Sequence, residues 1–591
     1  MSLTPVEESG LKTVVPLPSP FPLLGNQILK FPNKKYTFIG IRHGFLLLNF
    51  FFLFIFNNWA SAQKKQEFSW KNLPKAKLPT FKPDTLNIRD FGAIPDGKTI
   101  NSQFINNAIA RCSAKGGGVV IIPEGFWLTG PLVMKSNVNL HISKNAILQF
   151  SADFSLYALV KGSYEGKESM RNQSPISGRD LEKVAITGQG IVDGNGDFWR
   201  MVTKDMLTER EWKNKTATGG LLSADGKTWY PSERSQKGSN TPDPGAVIDG
   251  RTNEYFQSVK DYLRPNMVLF TNCREVFLEG VTFQNSPAWN LHLLMCEDLT
   301  LKNLFVKNPD YAQNGDGVDV ESSKNVLIDG CIFDVGDDGI CIKSGKDEEG
   351  RKRGMPTENV VISNNVVYKG HGGFVIGSEM SGGARNIFVQ NCSFIGTDKG
   401  LRFKTTRGRG GVVEHVYIRN ILMKDIAQEA IYFDMYYFAK LPLPGEKLTI
   451  PEVTDGTPQF RNIEISEVTC DGADKGIFMR GLPEMNINNI KIWNAVLKSR
   501  VAAEIIEASR IELKNIDFIA KADKPVLYFE NSADVVLDQI AFPVSTKHLI
   551  QVTGERSAKI LMKNSITEGI ADKITVSNGA TGNAVTVKTQ N

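Results

Sequence analysis

The 591-residue chain lacks a strong charge of either sign: 69 Lys and Arg face 64 Asp and Glu, a formal net charge of +5. No general attraction for nucleic acid or another polyanion follows, so an anionic ligand must be held by a local arrangement of charge. The seven cysteines (112, 273, 296, 331, 341, 392 and 470) form no CxxC zinc pattern and, being odd in number, cannot all pair. Most sit in apolar, strand-like runs, the setting of buried free thiols. Cys273 and Cys296 stand one repeat apart, which leaves one bridge as an alternative. The apolar run FLLLNFFFLFIF at 45–56 is short for a membrane span. Preceded by Lys30, Lys34, Lys35 and Arg42 and followed by Ala60-Ser61-Ala62, it reads as a secretory signal cut before Gln63, with a membrane anchor as the competing reading. Cleavage would remove five Lys/Arg and two Asp/Glu, leaving +2. Beyond about residue 180 no strong helical period is visible.

What is present is an ordinary globular balance, 41% hydrophobic and 23% charged, which excludes wholesale disorder, with 53 glycines to serve many turns. After a leader and signal (1–62) and an extended lead-in (63–84), LNIRDFGAIPDGKTINSQFINNAIARC predicts a strand, a turn at Asp96-Gly97 and a helix. That helix has the stripe Phe104, Ile105, Ala108, Ile109 and Cys112, with Asn101 or Ser102 as its cap. Residues 85–180 thus make an N-terminal cap and first coils. From about 180 a self-similar pattern takes over: REVFLEGVTF (274–283), EDLTLKNLFV (297–306), KNVLIDGCIF (324–333), ENVVISNNVV (358–367), RNIFVQNCSF (385–394) and EHVYIRNILM (414–423). Farther on, Ile463, Ile487, Ile511, Val535 and Ile560 recur at steps of 24, 24, 24 and 25. Short strands at this period without helices between them predict a β-solenoid whose coils bury their apolar faces on one another. The fold class is all-β, a single-stranded parallel β-helix, right-handed by the general rule for parallel crossovers. Catalytic coils are expected over 181–440 and further coils over 441–591.

Stacking brings residues one coil apart to within about 4.8 Å along the axis. Asp316 stands 21 residues before Asp337, so both fall near one corner of adjacent coils, beside Asp338. Glycines 315, 317, 336 and 339 would permit tight bends there. His371 follows one expanded coil later and Arg402 and Lys404 another coil on, two apart and therefore on one strand face. Three carboxylates, an imidazole and two fixed cations suit hydrolysis of a sugar bond beside a carboxylate.

NGDGVD (314–319), GDDGICIKSG (336–345), GHGGFVIGSE (370–379) and RFKT (402–405), in this order, resemble the four signature blocks of glycoside hydrolase family 28, the polygalacturonases. RPNMVLF (264–270), NSPAWNLH (285–292), GQGIVDGNG (188–196) and DFGAIPDG (90–97) resemble further family segments. The likeness runs from about 85 to 440; Gly315, Phe403, Gly339 and Cys341 depart from the commonest pattern without removing a functional group. It implies an inverting hydrolase of α-1,4-galacturonosyl linkages in pectic polysaccharide. Asp338 would be the general acid, Asp316 and Asp337 would hold the attacking water, and His371 would tune the cluster. Arg402 and Lys404 would bind the uronate carboxylate, with Asn314, His292 and Lys343 as further substrate-binding candidates. The long segment KDEEGRKRGMPTE (346–358), with DKGLRFKTTRGRGG (398–411), resembles the exo-acting bacterial branch, and segments 201–262 and 437–460 would wall off subsites. No cofactor or metal, no nucleic acid and no lasting membrane association are implied, for a monomer secreted or held in a periplasm. A rhamnogalacturonan hydrolase of the same family, a calcium-dependent pectate lyase and a non-catalytic β-helix carbohydrate binder remain alternatives.

Overall fold

The computed structural model describes residues 68–439, 449–521, 525–570 and 572–588. The signal and its cleavage site lie outside them, as does part of the predicted wall at 437–460. Successive coils pair strictly in parallel, and the chain forms the right-handed β-helix that the repeat predicts. The earlier coils lay a short strand on each of three faces, and from Ala384–Ile395 onward one long strand spans two of them. One face runs through Ile176–Arg179 (β1), Val268–Thr271 (β2), Leu291–Leu294 (β3), Val318–Glu321 (β4), Asp338–Lys343 (β5), Gly372–Ile376 (β6), Lys399–Lys404 (β7) and Glu429–Asp434 (β8).

Strand alternation assigns the two sides of this face. Val318, Ile340, Phe374, Leu401 and Ile431 pair in one file and are buried in the core. The next file, Asp319, Cys341, Val375, Arg402 and Tyr432, faces outward. Phe403 also lies inward, stacked on Phe433 one coil on at 4.2 Å and 3°, with Phe374 and Phe460 edge-on. An isoleucine at this position could not stack this way. Phe403→Ala should cost about 3–5 kcal/mol, read as a lower urea midpoint, because the rigid file cannot close the cavity.

The coil corners are turned by residues in the left-handed region. Asn325, Asn359 and Asn386 (φ 56°, 59° and 56°) stack with side-chain amides donating down the ladder at 3.1 Å, and Asn489 donates to Asn462 at 2.8 Å. This ladder corrects the predicted register. Ile490, not Ile487, pairs with Ile463 and Ile511, so the steps are uneven while the asparagines and inward isoleucines stay aligned. Helix Ser102–Ala114 forms as predicted and buries Ile105, Ala108, Ile109 and Cys112. Asn101 precedes it, but its side chain binds the backbone of Ile94, Thr99 and Leu128 instead of capping. The lead-in lies along the coils, with Trp70 edge-on to Phe388 at 5.3 Å and Lys77 paired to Glu275 at 2.5 Å. All seven cysteines are buried and free, so the alternative bridge does not form.

Helices do occur beyond residue 180: Glu209–Ala217, Glu233–Ser239, Asn253–Ser258 and Asp347–Arg353. The first is opened by a Thr208–Glu211 capping box, a T-x-x-E signal legible in the sequence. A hairpin, Leu159–Tyr164 and Lys167–Asn172, also leaves the coils; its two-residue turn, Glu165-Gly166, has φ of 48° and 75°.

Candidate active site

The corner before β4 and β5 and the outward side of β5 to β7 bring the predicted groups together. Asp338 is buried, with Arg402 Nη1 2.8 Å from one carboxylate oxygen and Lys404 Nζ 2.7 Å from the other. A carboxylate oxygen each from Asp316 and Asp338 and the Cys341 sulfur lie within 4.8 Å of one another. Asp337 turns away from this pair: its carboxylate accepts from the Asp338 amide at 2.9 Å and lies 3.1 Å from His371 Nδ1. Asp316, Asp337, Asp338, His371 and Lys404 floor a cleft of about 370 Å³ that Trp289, Lys343, Glu379, Arg409, Tyr437 and Phe438 also line.

Register differs by one residue from the expectation. Val318 pairs with Ile340 and the Gly317 amide donates to the Asp338 carbonyl, so Asp338, not Asp337, stacks on Asp316. The glycines serve close stacking, not left-handed bends: a Cβ on Gly317 would sit 2.5 Å from the Gly339 carbonyl oxygen, and neither residue has positive φ.

Burial and charge split the carboxylates. For Asp338, burial favours the proton, but Lys404 and Arg402 outweigh it and hold the group far below the ordinary range. Burial pushes Asp316 well up, with Asp319 and Asp337 adding repulsion. Asp319, wholly buried, is raised by burial to about 8 although Lys343 Nζ lies 3.4 Å away. The hydrogen bond to Asp337 raises His371.

Two predicted substrate contacts are engaged by protein partners. His292 is fully buried, with Nδ1 3.0 Å from Asn266 Nδ2 and Nε2 2.9 Å from Glu321, edge-on beneath Trp289. Lys343 lies at the cleft floor but is itself buried, 3.0 Å from Glu379 and 3.9 Å from Asp316; it neutralises acids instead of presenting a free ammonium. Asn314 does border the cleft, its side-chain oxygen accepting from Arg264 at 3.0 Å. Sequence reasoning passed over Asp319 and Glu379, although both stand inside quoted blocks. Burial raises Glu379 but Lys343 overrides it and holds the carboxyl at about 2. Tyr437 was also missed; its ring lies 5.0 Å from Lys404 Nζ and 5.7 Å from the Arg402 guanidinium.

The hairpin was missed as well, and it shapes the cleft. Its turn reaches the segment before helix Asp347–Arg353: the Lys346 amide donates to the Gly166 carbonyl at 3.2 Å, and Lys346 Nζ pairs with Glu165 at 3.2 Å. Glu168 N donates to Glu349 at 2.9 Å, and Tyr164 stacks on Trp289 at 5.5 Å. Arg409 and Lys167 both pair with Asp347 and hold that helix in place. The groove over the outward face is therefore crossed on the β3 side of the aspartates.

Fold and site define a parallel β-helix protein with a carboxylate-floored cleft. Residues 220–469 match the family model "Glycosyl hydrolases family 28", and residues 85–243 match "Rhamnogalacturonase A/epimerase, pectate lyase-like". A hyperthermoactive exopolygalacturonase from Thermotoga maritima is 30% identical with a TM-score of 0.62, over 75% of this chain and 94% of that one. A family 28 exopolygalacturonase from Yersinia enterocolitica is 26% identical with a TM-score of 0.57, over 79% of each chain. An exo-poly-alpha-D-galacturonosidase from Dickeya chrysanthemi is 27% identical over 66% of this chain and 65% of its own length. A probable polygalacturonase from Vitis vinifera is 29% identical over 57% of this chain and 60% of its own. The chain belongs to glycosyl hydrolase family 28; its matches span 60–65% of the length of these two curated relatives.

Proposed function

We propose that the chain is an inverting hydrolase of α-1,4-galacturonosyl linkages in homogalacturonan that removes units from a chain end. The observation that carries this is the pairing of Asp338 with Arg402 and Lys404 next to Asp316 and the Asp337–His371 pair, in a cleft crossed by the hairpin. The Thermotoga, Yersinia and Dickeya relatives are named for exo action on galacturonan. On this reading the enzyme acts outside the cell or in a periplasm, as a monomer.

The roles differ from those the resemblance implied. A carboxyl held ionised by two cations is a poor proton donor, so Asp338 takes the base side and, with Asp316, flanks the attacking water. Asp337, whose side chain is 19% exposed, protonates the leaving oxygen and is reloaded through His371. Arg402 has five N–H donors and Lys404 three, so each can hold Asp338 and still meet a uronate carboxylate at the cleft wall. A calcium cage of the lyase kind fits poorly, because these cations already take both Asp338 oxygens. The test is product analysis on polygalacturonate and rhamnogalacturonan. Inverted monomer or dimer from the first alone, unaffected by chelator, supports the reading, whereas an unsaturated product or no new reducing ends defeats it.

The hydrogen bond to Asp337 raises His371, so the imidazole keeps the proton that reloads the acid up to a higher pH than a free imidazole would. With His371→Ala that proton is absent. The alkaline limb of kcat/KM should therefore move to lower pH by at least about one unit, with kcat down about 10–100-fold. A pH–rate profile checks it; an unmoved limb removes His371 from the proton path.

A further inference from the structure

The hairpin that crosses the groove has a second cavity behind it. This cavity, about 350 Å³, compares with about 370 Å³ for the cleft over the aspartates. It is lined by Lys161, Arg171 and Arg179 and by hydroxyl and amide residues including Ser177, Asn172 and Asn266; no Asp or Glu lines it.

Its floor belongs to the same surface as the active site. Ser177 pairs with Leu269, and the file continues through His292, Asp319, Cys341 and Val375 to Arg402. Arg179 heads the neighbouring file, through Thr271, Leu294 and Glu321 to Lys343. Four coil steps of about 4.8 Å place Arg179 roughly 19 Å along the axis from the coil of Asp338. This chamber and the catalytic cleft thus lie on one outward face, with Tyr164 and Arg171, whose guanidinium lies 3.6 Å over the Tyr164 ring, among the residues between them.

The charge in the second chamber is unbalanced. Among the described residues Arg179 and Arg171 have no carboxylate partner; Arg171 Nη2 donates only to the Arg264 carbonyl, and its buried Nε has no partner. Lys161 has only an exposed pairing with Glu168 at 3.8 Å, a weak interaction. Three cations without a close anion, on a concave surface that also carries Val133, Val160, Pro265 and Leu269, suit an anionic sugar, whose rings offer apolar faces as well as hydroxyls. Asn172 and Asn266, both among the lining residues, each keep a buried side-chain oxygen with no partner.

We propose that this chamber is a second, non-catalytic site that holds a hexuronate segment. It rests on the galacturonan reading for the identity of the sugar. Because the hairpin separates it from the catalytic cleft, the segment it holds is not the one being cut, and the site tethers the enzyme to polymer.

The test is equilibrium dialysis of the full chain carrying Asp337→Asn, which slows turnover, against trigalacturonate. Two sites per chain are expected, falling to one when Lys161→Ala and Arg179→Ala are added. In the otherwise unmodified enzyme that double change should leave kcat/KM for trigalacturonate within about twofold while lowering retention in a polygalacturonate gel. A single site in the parent with hydrolysis intact overturns the second chamber alone, as do two sites that survive the double change. A chain that neither binds trigalacturonate nor cuts polygalacturonate overturns the galacturonan reading and this site with it.

Discussion

Asp338→Asn should lower kcat on polygalacturonate by about 10²–10⁴-fold, the range carried by a positioned acid–base group. It should also destabilise the fold, and for a separate reason. Arg402 and Lys404 are nearly as buried as Asp338, and an amide leaves two enclosed cations without their anion. Removing one partner of a buried pair costs about 3–5 kcal/mol. The two effects can be separated. Adding Arg402→Gln removes one stranded charge and should recover part of the unfolding free energy while activity stays lost. Denaturant titration together with reducing-end release checks both. An Asp338→Asn chain that keeps a tenth or more of its activity would show that the base lies elsewhere, with Asp316 the first alternative.

Shortening the hairpin should change the product pattern more than the rate. Replacing residues 162–169 with a two-residue turn removes Tyr164 from Trp289, Glu165 from Lys346 and Glu168 from Glu349, the contacts that close the groove. The catalytic carboxylates stand on the coils and keep their positions. Early products should shift from monomer or dimer to mixed longer oligomers, and viscosity should fall faster per bond cut. Chromatography of products at under a tenth of conversion reads this directly. If monomer or dimer still dominates, the chain end is recognised by something other than the hairpin.

How much of this could be read beforehand varies with the origin of each feature. The inward isoleucines, valines and phenylalanines repeat because every coil faces the same core, so the solenoid was plain in the sequence. Asp316, Asp337, Asp338, His371, Arg402 and Lys404 were legible because coil spacing converts sequence intervals into neighbours. Exact register was harder. A wandering step between coils let Ile487 pass for Ile490 until the asparagine ladder resolved it. Helix Glu209–Ala217 carried a visible capping signal, and the Glu165-Gly166 turn a weaker one, but the solenoid pattern says nothing about excursions from it.

By itself, then, the order of residues determined the architecture and which groups share a wall, since both follow from periodic burial. Only the folded chain decided what those groups do to one another. Charge acts through space and falls off with distance and solvent access. Asp338 is held far below the ordinary carboxylate range because two long side chains reach back to it from two coils on, while Asp319, one coil earlier, is raised by burial to about 8. Whether the groove is open or crossed likewise depended on a contact between residues about 180 positions apart, Glu165 and Lys346. No local pattern encodes that meeting, because it is fixed by where two excursions from the coils happen to touch.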